Sequence, residues 1–247
     1  RAVFTEDDLY KNSSLVLSED KKRGTDILYY TTPISLFNVV IGKVLACDVE
    51  DGSGIRLINY AAHAESLRGT NYQVSADYVG RMRNLIKDKT NDDVIFIQGA
   101  IGGLIMTKEL VDPFDPVTNM ILTAERLTDY ILGISNEVLV TTKLIIARKP
   151  FEAKLDNNVF MVYKALGIID NEVISGDGDT GYNLISELSV VVLGDILIYL
   201  IPGEIFPELV YGEVKEGDPN SLVSLANEYG YNKVLIFGLA NDELGYV

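Results

Sequence analysis

The sequence predicts an α/β protein with a mixed β-sheet, flanking helices and several hairpins. Apolar runs rich in β-branched residues alternate with only a few helical patterns. This argues against a doubly wound parallel sheet, in which a helix follows nearly every strand. Two pairs of runs are separated by short turn signals, at Gly194-Asp195 and in residues 50–54. Such spacing is typical of antiparallel hairpins.

The first half of the chain contains one of these hairpins and one clear helix. Apolar runs at residues 39–46 and 55–62 predict the two strands on either side of the turn at residues 50–54. Residues 75–87 follow a serine cap signal and predict a helix. The apolar face of that helix carries Tyr78, Val79, Met82, Leu85 and Ile86. Residues 94–97 predict a short buried strand, which runs into a glycine turn.

The second half alternates helices and strands. Residues 171–183 are rich in glycine and aspartate like a calcium loop, but they lack the closing glutamate and flanking helices of an EF-hand. We therefore expect a surface loop there. In chain order the other predicted elements are a helix at 118–132, a strand at 138–148, a helix at 158–167, a hairpin at 190–198, a helix at 221–229 and a strand at 234–239. We expect one domain over residues 1–247.

Composition excludes several classes of partner. The net charge is −15 and the sequence pI is about 4.4, so direct binding to nucleic acid or to an anionic membrane surface is not expected. The single cysteine rules out an intrachain disulfide. No uninterrupted apolar run reaches the roughly 18 residues of a transmembrane helix. These patterns leave the oligomeric state open.

The stretch at residues 188–209 organises the functional interpretation of the chain. Its second apolar run ends at Pro202-Gly203, because proline cannot donate to a strand ladder. Glu204 then falls just beyond the strand. The carboxyl end of a buried strand is where α/β proteins tend to place their chemistry. The alternative is that Glu204 caps the following helix or faces solvent.

Polar residues with metal-binding side chains follow three of the predicted strands. They are His63, Glu204 and Tyr246. Imidazole, carboxylate and phenolate together make a plausible zinc set, although a lone histidine at a strand end is more often structural. The sequence has no G-x-S-x-G elbow, H-E-x-x-H or C-x-x-C motif.

A glycine turn at residues 98–103 follows the strand at 94–97. Its backbone N–H groups, near Gly102 and Gly103, are in a position to hold an oxyanion. The turn has neither the G-x-G-x-x-G spacing nor a Gly-Lys-Ser/Thr continuation, so it is not a nucleotide-binding loop. The alternative is a tight turn that needs positive φ.

Four segments resemble the neutral/alkaline (non-lysosomal) ceramidase family, in the family's order. The segment NYAAHAESLRGTNYQVSADYVGRMRNLI is similar to its histidine segment, and VIFIQGAIGGLIM to its strand and Gly-Asp-x-x-Pro loop. LGDILIYLIPGEIFPEL resembles its glutamate segment, and VLIFGLANDELGYV its final segment ending in tyrosine. The similarity extends over residues 59–247.

The resemblance implies a zinc amidase that cleaves the N-acyl bond of a lipid amide such as ceramide. In that family two histidines, a glutamate and a tyrosine hold the zinc. His63, Glu204 and Tyr246 match three of these ligands, and Asn241 matches an asparagine that we assign to substrate binding. The resemblance also implies a secreted or periplasmic location.

The chain departs from the family pattern at three places. The family's other zinc histidine lies in a Thr-His-Thr-His segment upstream of the region matching Arg1, so we expect an upstream segment in a longer precursor. Ile105 stands at the position of the catalytic serine, and Gly103 at that of the aspartate. The family's C-terminal immunoglobulin-like domain has no counterpart in this sequence.

Two functional hypotheses follow. The first is a zinc-dependent hydrolase of an amide bond, with Gly102 and Gly103 in its oxyanion loop. The second is a non-catalytic relative that keeps the fold as a binding or structural protein, which Ile105 and Gly103 favour. An unrelated α/β protein is a weaker third interpretation.

Overall fold

The computed structural model describes residues 2–3, 40–44, 54–68, 71–103, 114–133, 137–138, 144–212 and 220–245. The strands are β1 (Ala2–Val3), β2 (Val40–Val44), β3 (Ile55–Tyr60), β4 (Asp93–Gln98), β5 (Glu137–Val138), β6 (Leu144–Leu155), β7 (Val173–Ser175), β8 (Tyr182–Leu193), β9 (Ile196–Leu200) and β10 (Lys233–Phe237). The helices are α1 (Asp77–Thr90), α2 (Pro116–Gly133), α3 (Asn158–Ala165), α4 (Pro207–Tyr211) and α5 (Leu222–Glu228). The predicted mixed α/β class is confirmed.

The strands form two mixed sheets. The first has the order β4-β3-β2-β1-β5, with β3 and β4 parallel and the other pairs antiparallel. The second has the order β10-β9-β8-β6, with β7 added to β8 and with β9 and β10 parallel. Each sheet therefore contains one parallel pair, which lies at its edge next to the other sheet.

The helix predictions for α1 and α2 are confirmed with small changes at the ends. The two helices pack together over the first sheet, and their apolar faces form its core with β3 and β4. The fully buried members of this core include Ile58, Tyr78, Met82, Ile86 and Leu127. Burial of this apolar surface is what holds the helices against the strands.

The predicted hairpin at 190–198 is confirmed. β8 and β9 pair antiparallel, with Leu193 opposite Ile196, and Gly194 adopts φ 64° in the two-residue turn. Positive φ at this position is what a tight hairpin turn requires. A smaller core lies beside β9 and β10, where α4 and α5 contribute Val210 and Val223.

Two predictions in the second half were wrong in extent. The strand predicted at 138–148 corresponds to β5 in the first sheet and β6 in the second, and residues 139–143 lie outside the described residues. β6 continues through Pro150 to Leu155. Proline is tolerated there because β6 pairs only with β8 and lies at the edge of the described sheet. The loop predicted at 171–183 contains the short strand β7. In the part of the chain that the structure describes, no helix is long and apolar enough to cross a membrane.

Candidate functional site

The two sheets meet where four strands end. The side chain of Asn59, on β3, donates through Nδ2 to the carbonyls of Ile97 and Gln98 on β4, both at 3.1 Å, and to that of Ile236 on β10 at 2.8 Å. Asn59 is 4% exposed, so these bonds form away from water. The N–H of Gly238 also donates to the Gln98 carbonyl, at 2.9 Å. The carboxyl ends of β3, β4 and β10 are thereby joined at one place.

Glycine is needed at the point of closest approach. A Cβ on Gly238 would overlap the carbonyl oxygen of Gly99, the residue that follows β4. Beside it, Ile201, directly after β9, donates its N–H to the Phe237 carbonyl at 2.8 Å. The fourth strand end, that of β9, therefore joins the same region.

His63 follows β3 and is held by the start of α1. The Tyr78 hydroxyl donates to the carbonyl of Ala62, the residue before His63, at 2.8 Å. The carboxylate of Asp77 accepts the Leu67 N–H at 2.8 Å. Burial raises the pKa of Tyr78 well above its usual value, so the hydroxyl stays protonated and keeps donating. The loop that carries the imidazole is therefore fixed on both sides of His63.

Glu204 follows β9 and is fixed through its backbone. Its N–H donates to the Gly245 carbonyl at 2.7 Å, and the Leu244 N–H donates to the Pro202 carbonyl at 2.9 Å. The alternative role as a helix cap is wrong, because Phe206 is the N-cap of α4. Glu204 does not face solvent either, since its side chain is only 17% exposed.

The glycine turn after β4 packs directly on the Glu204 segment. Gly102 donates its N–H to the Ile205 carbonyl at 2.9 Å, and a Cβ on Gly102 would lie 2.7 Å from the backbone of residues 204–206. The Gly102 amide is thus engaged within the fold. Gly103, the next residue, has φ 79°, the conformation expected of a tight glycine turn. An oxyanion role stays a prediction, and it rests on Gly103 rather than on Gly102.

His63 and Glu204 come together although they are far apart in the sequence. Nε2 of His63 lies 3.2 Å from Oε2 of Glu204. Oε2 is buried, and among the described residues it has no hydrogen-bond partner in good geometry. The two atoms are within ion-pair distance, and Oε2 has no other polar partner among the described residues. A buried carboxylate oxygen in this state is costly unless a cation or a donor completes it.

The pair has the spacing of two zinc ligands. Zinc binds imidazole nitrogen and carboxylate oxygen at about 2.0–2.1 Å in a tetrahedral shell, which sets neighbouring ligand atoms roughly 3.3 Å apart. The observed 3.2 Å matches this spacing. Within the described ranges between residues 54 and 245, however, no group of three or more His, Cys, Asp or Glu side chains is placed to hold a metal ion. The pair fits two positions of a zinc shell and requires further ligands.

The remaining predicted site residues have different outcomes. Tyr246 and Ile105 lie outside the described residues. Asn241 is exposed, and its amide donates to Oγ of Ser189 at 2.9 Å and to the Glu187 carbonyl at 3.3 Å. It has φ 73°, an uncommon conformation for a residue other than glycine. Substrate binding by Asn241 stays a prediction.

Glu243 is a site residue that the sequence analysis missed. Desolvation raises the pKa of this carboxyl, and the nearby charge of Glu204 raises it further, whereas the Gly245 amide and His63 lower it. Its Oε1 accepts the Gly245 N–H at 2.9 Å. The sequence contains no signal for this placement beyond its position three residues before Tyr246. A second carboxylate therefore lies within electrostatic range of the His63–Glu204 pair.

A polar cavity of about 340 Å³ is lined by residues that follow His63 in the chain, beginning with Ala64. It is formed by the loop between β3 and α1, and its lining includes Glu65, Arg68, Asn71 and Gln73. The side chains that line it offer both donors and acceptors of hydrogen bonds. The cavity therefore provides space for a polar group in the loop that follows His63.

Comparison with solved structures shows where this fold occurs. The chain superposes on the neutral ceramidase from Pseudomonas aeruginosa with a TM-score of 0.59 and 14% identity, over 85% of this chain and 40% of that one. A structure described as a ceramidase complexed with C2 gives a TM-score of 0.61 and 14% identity, over 97% of this chain and 46% of that one. No protein-family profile and no curated protein sequence matches the chain.

The structural comparison establishes a ceramidase-like fold. The chain spans less than half the length of the two ceramidase chains. At 14% identity the likeness concerns the fold alone and does not carry over an activity.

Proposed function

We propose that the protein is a zinc-dependent hydrolase of an amide (N-acyl) bond, of the ceramidase type. The observation that carries the proposal is the 3.2 Å approach of His63 Nε2 to the buried Oε2 of Glu204, which otherwise lacks a hydrogen-bond partner among the described residues. The approach occurs where four strand ends meet in a ceramidase-like fold.

His63 and Glu204 would hold the metal, and the proposal assigns Tyr246 as a further ligand. A second histidine ligand would have to come from outside this sequence, which contains one histidine. When bound, zinc supplies a Lewis acid that polarises a carbonyl and lowers the pKa of a coordinated water. This chemistry suits an amide, whose carbonyl is a poor electrophile without such help.

The protein's own residues would orient the reactants. The Tyr78 hydroxyl and the Asp77 carboxylate hold the His63 loop, and the Gly245 carbonyl holds Glu204. Fixing the backbone that carries both side chains before the substrate arrives lowers the entropic part of the barrier. The N–H of Gly103 would donate to the oxygen of the scissile carbonyl as negative charge develops there.

The substrate class is a lipid or small-molecule amide. The polar cavity in the loop after His63 would take a hydroxylated or otherwise polar part of the substrate, with Arg68 and Asn71 as candidate contacts. Asn241 would be a further substrate contact. The strongly acidic chain would select against phosphorylated or otherwise anionic substrates, because like charges repel.

The experiment combines zinc analysis with hydrolysis of a fluorescent N-acylated amino alcohol. We expect stoichiometric zinc and measurable hydrolysis in a wild-type preparation that includes the segment supplying the second histidine. Glu204→Gln should abolish both, because the amide is a poor zinc ligand but keeps the shape of the side chain. The matched control is Glu172→Gln, an exposed position. A preparation that includes that segment and binds no zinc, or full activity in Glu204→Gln, would reject the proposal.

The alternative function is that of a non-catalytic relative that keeps the fold as a binding or structural protein. Ile105 and Gly103, at the positions of a catalytic serine and an aspartate in the ceramidase family, favour it. This alternative predicts that the wild type shows no amide hydrolysis even when zinc is supplied. It also predicts that Glu204→Ala keeps the binding partner of the wild type. Hydrolysis that depends on Glu204 would exclude it.

A further inference from the structure

We propose that Asn171, Ser186 and Asp242 form a positioning device for the candidate metal centre, here called the Asp242 clamp. The inference rests on the proposed function, because it assigns these residues to the same site. Their hydrogen bonds to one another hold the segment at residues 239–245. That segment in turn holds the backbone of Glu204.

The clamp is a set of hydrogen bonds to one carboxylate. Nδ2 of Asn171 donates to both oxygens of Asp242, at 2.7 Å and 2.8 Å. Oγ of Ser186, on β8, donates to Oδ2 at 3.0 Å. The N–H of Glu243 donates to Oδ1 at 2.9 Å. Both oxygens of Asp242 are thus satisfied by neutral donors, and such charge-assisted bonds are about twice as strong as bonds between neutral groups.

The clamped segment is the one that fixes Glu204. Immediately after Asp242, Leu244 donates to the Pro202 carbonyl and Gly245 accepts from the Glu204 N–H. Immediately before it, the amides of Leu239 and Ala240 donate to the Gly203 and Ile201 carbonyls. The segment therefore lies between β8 on one side, where Ser186 anchors it, and the residues around Glu204 on the other.

Strain in the segment explains why side-chain anchors are needed. Leu239 and Asn241 have φ 53° and 73°, left-handed conformations that cost energy for residues with a Cβ. The bond from the Asn241 amide to Ser189 holds one of these positions. The Asp242 clamp holds the next residue. Without the clamp, the segment is free to relax towards ordinary φ values, and the backbone support of Glu204 relaxes with it.

A metal centre is sensitive to such support. Ligands must be held within about 0.5 Å of the productive geometry, and loss of the groups that orient them typically lowers metal affinity about 10- to 100-fold. The clamp supplies this orientation from residues that are distant in sequence from His63. Asn171, Ser186 and Asp242 are positioning residues in this account and touch neither metal nor substrate.

The test exchanges the two ends of the clamp. Asn171→Asp places two carboxylates face to face, and Asp242→Asn places two amides face to face. The double variant restores one amide and one carboxylate, and the amide oxygen introduced at position 242 can still accept the Glu243 N–H. The control is Asn232→Asp, an exposed position before β10 that makes the same charge change as Asn171→Asp.

Two readouts are taken on the full chain. The first readout needs no metal and combines two measurements. One is the ¹H spectrum of the His63 imidazole, whose resonances are unique because the chain has one histidine. The other is the hydrogen exchange of the Glu204 and Leu244 amides. The second is Zn²⁺ affinity, followed by the same imidazole resonances. We expect each single variant to exchange these amides about tenfold faster and to bind zinc about tenfold more weakly. The double variant should return to within about threefold of the wild type by both readouts.

Single variants that behave like Asn232→Asp would overturn the clamp. The clamp would also be overturned if the changes in amide exchange and zinc affinity in the double variant equalled the sum of those in the two single variants. That result would mean that the substitutions lower stability and do not break a specific pairing. Absence of any zinc response in a wild-type preparation that includes the segment supplying the second histidine would instead reject the proposed function. The exchange measurements would still decide whether the clamp holds the Glu204 backbone.

Discussion

Replacing Asn59 with aspartate tests the physical link between the two sheets. In the wild type, Nδ2 of Asn59 donates to three carbonyl oxygens, at 3.1, 3.1 and 2.8 Å, and the residue is 4% exposed. Aspartate has the same shape but places a carboxylate oxygen against the same carbonyls. Repulsion and burial both disfavour the ionised form, so the pKa of the new carboxyl is raised in the folded protein.

The cost of keeping that carboxyl protonated sets the size of the effect. Protonating a group with an ordinary pKa of about 3.9 costs roughly 1.4 kcal/mol for each pH unit above it, or about 4 kcal/mol at pH 7. The lost amide donors add about 1–2 kcal/mol. The variant should therefore be less stable than the wild type by about 5 kcal/mol at pH 7 and by about 3 kcal/mol at pH 5.

The sign of the pH dependence follows from linkage. A carboxyl whose folded pKa is raised carries no ionisation penalty below its unfolded pKa, and the penalty grows as the pH rises. Urea unfolding at pH 5, 6 and 7 measures the difference in the free energy of unfolding. The control is Asn84→Asp, at an exposed position on α1. A difference that does not change with pH, or one equal to that of the control, would refute the role given to Asn59.

The other predictions concern the groups around the site. Gly102→Ala should cost about 1–3 kcal/mol in the free energy of unfolding, because the new Cβ would lie 2.7 Å from backbone atoms of residues 204–206. Thermal unfolding measures this cost, and a substitution without effect on stability would contradict the packing. Tyr78→Phe should lower the free energy of unfolding by about 1–2 kcal/mol, since it removes the hydroxyl that donates to the Ala62 carbonyl. Urea unfolding measures this change, and an unchanged midpoint would argue against that hydrogen bond. The Glu243 carboxyl should titrate above the usual glutamate range in ¹³C NMR. Because its pKa is raised in the folded protein, its stabilising contribution is present at low pH and is lost as the pH rises. Glu243→Gln should therefore gain stability relative to the wild type towards neutral pH. A midpoint at or below the usual value would show that Glu243 does not sense Glu204.

The local elements of this fold could be predicted from sequence because their signals are local. The turn at Gly194-Asp195 and the apolar face of α1 both depend on residues a few positions apart. The extent of β6 could not be predicted, because the proline at position 150 is acceptable only on an edge strand, and edge position is a property of the whole sheet. The division into two sheets joined by Asn59 has no local signal either.

The same distinction applies to the candidate site. Strand ends pointed to His63 and Glu204 as candidates, and the structure places their side chains 3.2 Å apart. Their meeting could not be derived from spacing, because it depends on how the carboxyl ends of β3 and β9 are joined by β4 and β10. Glu243 and Asp242 were missed for a related reason. A run of polar residues near a chain end resembles a solvated loop until its long-range hydrogen bonds are known.

X-ray absorption at the zinc edge of the zinc-loaded protein tests the central claim most directly. The account predicts nitrogen and oxygen ligands at about 2.0–2.1 Å, with an imidazole scattering signature that is weaker in His63→Ala. It also predicts a lower oxygen count in Glu204→Gln. A spectrum that is unchanged by both substitutions would contradict the account, because it would show that zinc binds elsewhere and that the close approach of His63 and Glu204 is not a metal centre.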